Sequence, residues 1–480
     1  MAELDLPVLG LMRTCYVIAV LMLAGCALKE PPTHTETVDQ ALPATTKIPA
    51  EWMAGSNAGT VIDSWLKAFN DPALEAIVNE AIANNLDLRQ AAQRVRVAQE
   101  TAVVVGAQLS PWVGASLGAR STRDDDHDTT ANSRIGYAAV AWELDVWGEL
   151  RAQRAAAEAG YQATALEYAY ARQSLAATTA KLWYLAIETH QLVALAEQAV
   201  QIYSELLTLV EIRRKAGKDS DLDVVDVQAR VDTAKSEFER ARASDGEVRR
   251  ALEELLGRYP ANEIEVAQAY PVLAPLSGGG VPSALLERRP DILAAERGVL
   301  ATFRNKEAAD LALLPQFTFS LIGGRVDNGV MSHLHLNPWL ETAHIGMAIP
   351  IYEGGALRAK IEIATAQQAQ ALARYGAVAL AAFREVEDSL ANEQLLALQR
   401  PLDQAALDGR IEAVRIATIQ YKAGRRDLLW VAQLQSAQLS SNAQVIKLGG
   451  AQRANRVRLQ LALGGSFDAA PAAAAFLPIE

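Results

Sequence analysis

Cys26 carries the most definite chemistry in the chain. It closes Leu23-Ala24-Gly25-Cys26, the end of an apolar stretch over residues 14–25 that starts behind Arg13. A short apolar run after a cation, ending in small residues, is a secretory signal and not a spanning helix. Residues 1–25 are therefore read as a signal peptide. Glu3 and Asp5 fit poorly in a charged leader, so Met12 is the expected initiator. The last four residues look like a bacterial lipobox, in which the thiol is acylated and Cys26 becomes the first mature residue. Several acyl chains on one residue anchor stably, at about 0.8 kcal/mol per buried CH₂. Position 27 is Ala and not Asp, which by the bacterial sorting pattern implies the outer membrane.

Other reactive-looking groups support less. His333 and His335, with His344 nearby, have a spacing that two metal ligands could use, but they are read as exposed loop residues. The Asp124–Asp128 run could attract Ca²⁺ and is read as a solvated acidic loop. Glu188 and His190 could mimic a catalytic pair, yet no nucleophile or Gly-rich oxyanion feature accompanies them, so no enzyme is expected. A Gly-rich phosphate loop is also absent. Two cysteines, Cys15 and Cys26, exclude a Cys-rich zinc site. With 57 acidic against 45 basic residues, the net charge of −12 argues against a nucleic-acid partner. The only cofactor expected is the covalent lipid on Cys26; no metal is expected.

The body is one unit written twice. Lys215-Ala216-Gly217 returns as Lys422-Ala423-Gly424, and Leu150-Arg151-Ala152 as Leu357-Arg358-Ala359, both at an offset of 207. Residues 26–60, with four prolines, read as a lipidated extended tether. Repeat 1 spans 61–260 and repeat 2 spans 282–465. Between them, the Pro- and Gly-rich stretch 261–281 is a linker, and 466–480 is a tail.

Each repeat has the same internal order. An opening helix is expected over 72–108 and 283–313. Strands follow at about 111–121 and 134–147, then 315–326 and 339–352. Phe317, Phe319 and Leu321 alternate with Thr318 and Ser320, a period-two pattern with one apolar face. Long helices are expected over 148–216 and 355–423, with Pro401 and Gly409 kinking or breaking the second. About 69 residues of helix would reach about 100 Å. Return helices over 220–256 and 427–463 complete each repeat. Four strands cannot close a membrane barrel, because an open edge in lipid leaves backbone groups unsatisfied. Strands that cross a membrane here would require an oligomer.

Several segments together resemble the TolC-like outer-membrane efflux family, closest to its lipoprotein branch (OprM- and NodT-type). They are Trp65 with Phe69, Asp71-Pro72 and Leu74; Trp142-Glu143-Leu144-Asp145-Val146-Trp147-Gly148; and Arg288-Arg289-Pro290-Asp291-Ile292. Pro350-Ile351-Tyr352-Glu353-Gly354-Gly355 and Tyr421-Lys422-Ala423-Gly424 complete the set. The family's Gly-Pro-Asp-Tyr after the lipid Cys is replaced by Ala27-Leu28-Lys29-Glu30. The resemblance implies a mainly α fold with a membrane β-barrel portion and two structural repeats per chain. It further implies a homotrimer, whose twelve-stranded β-barrel continues into a long periplasmic α-helical barrel. The implied function is the exit duct of a tripartite pump for small toxic compounds. Its partners would be a periplasmic adaptor, a resistance–nodulation–division transporter in the inner membrane, and outer-membrane lipid. A duct for metal ions or for type I protein secretion is an alternative, and a structural envelope lipoprotein is another.

Gly148, Gly354 and Gly355 are expected at the strand-to-helix junctions. The family closes its duct at the inner ends of the helix pairs. That places Gly217, Asp219, Leu222, Asp223 and Asp226 of repeat 1 at the gate, together with Tyr421, Gly424, Arg425, Arg426, Asp427, Leu429, Trp430 and Gln433 of repeat 2. Charged groups would tie neighbouring helix pairs, and Leu222 and Leu429 would form an apolar constriction. Gln433 stands where the family carries an Asp, whereas repeat 1 keeps Asp226.

Overall fold

A computed structural model describes residues 28–55, 59, 61, 63–124, 129–276, 278–328 and 339–468. The signal segment, Cys26, Asp125–Asp128, His333, His335 and most of the tail lie outside the described residues. The chain divides into two compact units. One comprises residues up to Thr45, Arg94–Ala165 and Ala294–Ala377. The other comprises Thr46–Gln93, Leu166–Leu293 and the chain from Val378 onward.

The first unit is built on a single antiparallel sheet of β1 (Trp112–Asp124), β2 (Thr129–Leu144), β3 (Gln316–Asn328) and β4 (Trp339–Ala348), in that order. The central β2–β3 pairing joins the two repeats, with Leu144 opposite Phe317. Register separates the faces. The rows Val113–Val140–Leu321–Ala343 and Trp142–Phe319–Ile345 share one side. Trp112–Ala141–Ser320–His344 and Glu143–Thr318–Gly346 share the other. β2 stops at Leu144, short of 147, because Asp145 turns to cap the next helix. Its carboxylate accepts from the N–H of Leu150 at 3.0 Å and of Arg151 at 3.1 Å. β4 ends at Ala348 and not 352, since Pro350 has no N–H for the ladder.

Helices make up most of the remaining described chain. The opening helix expected over 72–108 is two, α2 (Pro72–Asn84) and α3 (Leu86–Gly106), preceded by α1 (His34–Ala41). Asn85 leaves the helical region at ψ 127, accepts from Leu88 N–H at 2.9 Å and donates to the Leu255 carbonyl at 3.2 Å. Its counterpart over 283–313 is also broken, into α6 (Pro282–Leu285) and α7 (Pro290–Leu311). Pro290 disfavours helical backbone at Arg289 and then starts the second segment.

The long helices are α4 (Glu149–Lys215) and α8 (Ala356–Lys422), returning as α5 (Asp221–Leu255) and α9 (Leu428–Ala462). Of the kink or break expected at Pro401 and Gly409, the break does not occur: α8 is continuous through both. One proline removes one hydrogen bond and costs about 3 kcal/mol. A helix of 67 residues with helix-forming neighbours on both sides absorbs that. The tether is not uniformly extended either. Thr33 and Glu36 form a reciprocal capping box that starts α1, and Ala41 lies against Gly376.

The second unit has its core around Trp65, Phe69, Trp183 and Tyr184, all nearly inaccessible. Phe69 packs on Trp65 at 5.8 Å and on Tyr184 at 5.6 Å between ring centroids. Asp71 accepts from Trp183 Nε1 at 2.9 Å with one oxygen and caps α2 at Leu74 N–H with the other. That pair of bonds ties the Trp65–Leu74 motif to α4. A separate core holds Tyr203, Val210, Val227, Tyr421, Leu428 and Val431 together beside the two helix-turn tips.

Candidate functional site

The two tips are built alike. Gly217 (φ 70) and Gly424 (φ 72) take the left-handed conformation that ends a helix with least strain. Gly217 N–H bonds Arg214 O, and Lys218 N–H reaches back to Arg213 O, both at 2.9 Å. Gly424 to Tyr421 and Arg425 to Gln420 repeat that geometry at 2.9 Å each. The return helices then start on caps. Ser220 and Asp223 form a capping box, and Asp427 accepts from Trp430 N–H at 3.0 Å.

A charged link joins the tips of the two repeats within one chain. Tyr421 is 1% exposed, and its hydroxyl donates to Asp219. Arg213 Nε donates to both Asp219 oxygens, at 2.9 and 3.1 Å. The same guanidinium donates to the Tyr421 carbonyl at 3.2 Å and lies 4.3 Å from the Tyr421 ring centroid. Burial, with Asp219 beside it, pushes the Tyr421 hydroxyl far above the ordinary phenol range. It therefore remains a donor at any physiological pH. Arg213 was not legible as part of this site; its one signal is its place among the basic residues of the last turn of α4.

The other expected residues divide by exposure. Asp223 is used by its cap, and Asp226 accepts from Arg230 Nε at 2.8 Å within α5. Leu222 (76%), Leu429 (51%) and Trp430 (46%) are open to solvent. Arg425, Arg426 and Gln433 are exposed as well, with Arg426 resting over the Trp430 ring at 5.4 Å. The tip thus has an internal ion-pair link and an exposed rim of apolar and charged side chains.

At the strand-to-helix junctions Gly148 (φ 91), Gly354 (φ 63) and Gly355 (φ 85) all have positive φ. Trp147 Nε1 donates to the Pro315 carbonyl at 2.7 Å, which pins the first junction against the start of β3. Glu188 and His190 are not paired: His190 Nδ1 faces Arg249 at 3.0 Å, while Glu188 lies beside Gly450. Among the described residues no group of three His, Cys, Asp or Glu side chains could hold a metal ion. No described helix is long and apolar enough to cross a membrane.

The family model for outer membrane efflux proteins matches residues 77–258 and 281–465, one segment in each repeat. The chain belongs to the outer membrane efflux protein family. It is 30% identical over 474 residues to a pyoverdine export outer membrane protein of Pseudomonas putida, covering 95% of this chain and 97% of that relative. A toluene efflux pump outer membrane protein of the same species is 28% identical, covering 94% and 98%. Among solved structures, a membrane protein from Pseudomonas aeruginosa superposes with a TM-score of 0.80 at 26% identity, covering 91% of this chain and all of that one. VceC of Vibrio cholerae shares the fold with a TM-score of 0.78 at 22% identity, covering 85% of this chain and 100% of that one. This outer membrane efflux protein is an exit duct of the outer membrane, and the two-repeat fold of such channels is the one described above.

Proposed function

We propose that three copies of this chain close a twelve-stranded barrel in the outer membrane, continued by a barrel of the long helices in the periplasm. The sheet carries this reading. Its strands have 13, 16, 13 and 10 residues, enough for a tilted crossing of about 9–11. One face bears Val113, Val140, Phe319, Leu321 and Ile345, suited to lipid. The other bears Ser320, Thr318, Glu143 and His344, suited to a wet lumen. The outer edges of β1 and β4 have no partner strand among the described residues. In hydrocarbon those edges must pair, and a neighbouring copy supplies the partner.

The duct passes small toxic organic compounds handed on by a periplasmic adaptor and a resistance–nodulation–division transporter, which supplies the energy. The relatives that export toluene and solvent support this class. Pyoverdine export is the second reading, favoured by the pyoverdine export protein at 30% identity. At rest, contacts among the exposed tip residues of neighbouring copies close the inner end, and the Arg213–Asp219–Tyr421 link keeps each chain's two tips together. Opening shifts a population between two arrangements of these tips.

Acylation of Cys26 adds a second anchor. Lys29 N–H donates to Glu307 at 2.5 Å, Lys29 Nζ pairs with Asp310 at 3.2 Å, and Arg304 donates to the Lys29 carbonyl at 2.7 Å. Leu28 approaches Gly148. Leu28 and Lys29 are thereby held near the strand-to-helix junction, and in this reading an acyl chain two residues upstream meets the membrane edge.

Dye and solvent accumulation in a deletion strain tests the substrate class. Accumulation should rise on deletion and fall again on complementation. Unchanged accumulation, together with loss of secreted pyoverdine from the medium, would transfer the reading to pyoverdine export.

A further inference from the structure

The second unit contains a cavity of about 450 Å³ between the inter-repeat linker and helices α4, α8 and α9. Its polar lining is rich in donors: Gln191, Arg400, Gln404, Asn442 and Arg453, with Tyr270 beside them. No acidic side chain lines it. Val272, Leu273, Leu407, Val445 and Ile446 supply apolar wall.

Arg453 is the central group. It is 3% exposed, and among the described residues it forms no ion pair with a carboxylate. Nη1 donates to the Gly449 carbonyl at 2.9 Å, Nη2 to the Pro271 carbonyl, and the guanidinium lies 4.3 Å from the Tyr270 ring centroid. Its Nε–H is buried and bonded to nothing. The Gln191 amide nitrogen is likewise buried without an acceptor. Arg400, also on the wall, has Gln452 Oε1 at 3.3 Å as its partner and pairs with no carboxylate among the described residues. Burial, with Arg400 adding to the effect, pushes Arg453 down to about 10. Glu188, the acid near Tyr270 and Gly450, lies outside the lining, and burial raises its pKa, which disfavours its charged form.

A buried cation with a spare donor is costly unless something accepts from it. Native proteins leave few such groups unexplained. Two arginines, an unpaired amide and an acid-free wall all lack the same thing, a negatively charged acceptor. The apolar remainder of the wall, and a volume in the range of small-molecule sites, suit a body larger than an inorganic ion.

We infer that this cavity binds a small organic carboxylate, with its carboxylate on exposed Arg400, with Arg453 and Gln191 turning their buried, unpaired donors toward it, and with its apolar body against Val272, Leu407 and Ile446. The lining shares no residue with the Arg213–Asp219–Tyr421 link at the helix tips.

Isothermal titration of the detergent-purified full-length protein with 4-phenylbutyrate, 4-phenylbutan-1-ol and inorganic phosphate tests this. Saturable binding of the carboxylate at one site per chain is expected, with no saturable binding of the alcohol. Arg400→Gln changes a wall residue outside the buried cores and should weaken the carboxylate about tenfold or more, the loss of one charge-assisted hydrogen bond. Gln191→Leu should weaken it as well. Arg453→Gln, if it folds, should abolish binding; if it does not, the Arg400 and Gln191 variants still decide. Equal heats for carboxylate and alcohol, binding of phosphate as tight as the carboxylate, or an unchanged Kd in both Arg400→Gln and Gln191→Leu would each overturn the assignment.

Discussion

Replacing Tyr421 by Phe removes one oxygen from the tip and little else. The ring keeps its place in the core beside Val210, Val227 and Leu428, and its stacking under Arg213. What disappears is the hydroxyl's bond to Asp219. Hydrogen bonds to charged groups contribute about 1.5–3 kcal/mol. Asp219 retains two contacts from Arg213 Nε, so the loss falls at the low end, about 1.5 kcal/mol. If the link is made in the closed arrangement and broken when the tips part, that energy shifts the open-to-closed ratio about tenfold. Single-channel recording in planar bilayers reads the ratio directly, with thermal melting as a control for the fold. Tyr421→Ala combined with Arg426→Ala should loosen the gate further, chiefly through the buried aromatic, at about 3–5 kcal/mol. Arg426 is exposed and adds little. An open probability for Tyr421→Phe equal to that of the parent, or an unchanged conductance in the double variant, would refute the reasoning.

Three more perturbations have definite outcomes. Buried Glu253 accepts from the N–H groups of Asn262, Glu263 and Ile264 at 2.7, 2.6 and 2.9 Å. Burial alone would raise its pKa, but these bonds outweigh it and hold the carboxyl below the ordinary 4.5. Its stabilisation is present above 4.5 and is lost as pH falls through the lowered value. Glu253→Gln should therefore cost about 1.5–3 kcal/mol at neutral pH, and the gap in melting temperature from the parent should close in acid. Pro401→Ala should raise the apparent melting temperature by restoring one bond in α8, with about 3 kcal/mol as the upper limit. Cys26→Ser should remove the acyl mass from the mature chain in intact-protein mass spectrometry while the protein still fractionates with the outer membrane.

Features that depend on local chemistry were legible in the sequence. The 207-residue offset places both tip glycines, and their φ values agree within 2°. Alternation in 317–321 marks a strand, because side chains on a pleat point to opposite sides. The helix breaks at Asn85 and Arg289 were not legible, since the surrounding residues favour helix and a single cap or a following proline decides. At Pro401 the local cost is real, but a long helix continues through it without a break. At the tip, Tyr421 and Asp219 are 202 residues apart. Nothing in either stretch alone says that the phenol would be buried against the other repeat's carboxylate. Arg213 joined the site for the same long-range reason. The donor-lined cavity needs four separate segments, and none of them carries a recognisable motif.

Counting the copies tests the central claim most directly. The protein would be extracted from outer membranes in detergent, imaged by electron microscopy, and its end-on views classified without imposed symmetry. Three-fold rings with a hollow centre are the predicted result, since twelve strands from three sheets close the open edges of β1 and β4. Single copies, or views with a filled centre, would contradict it and leave those edges unpaired in the membrane.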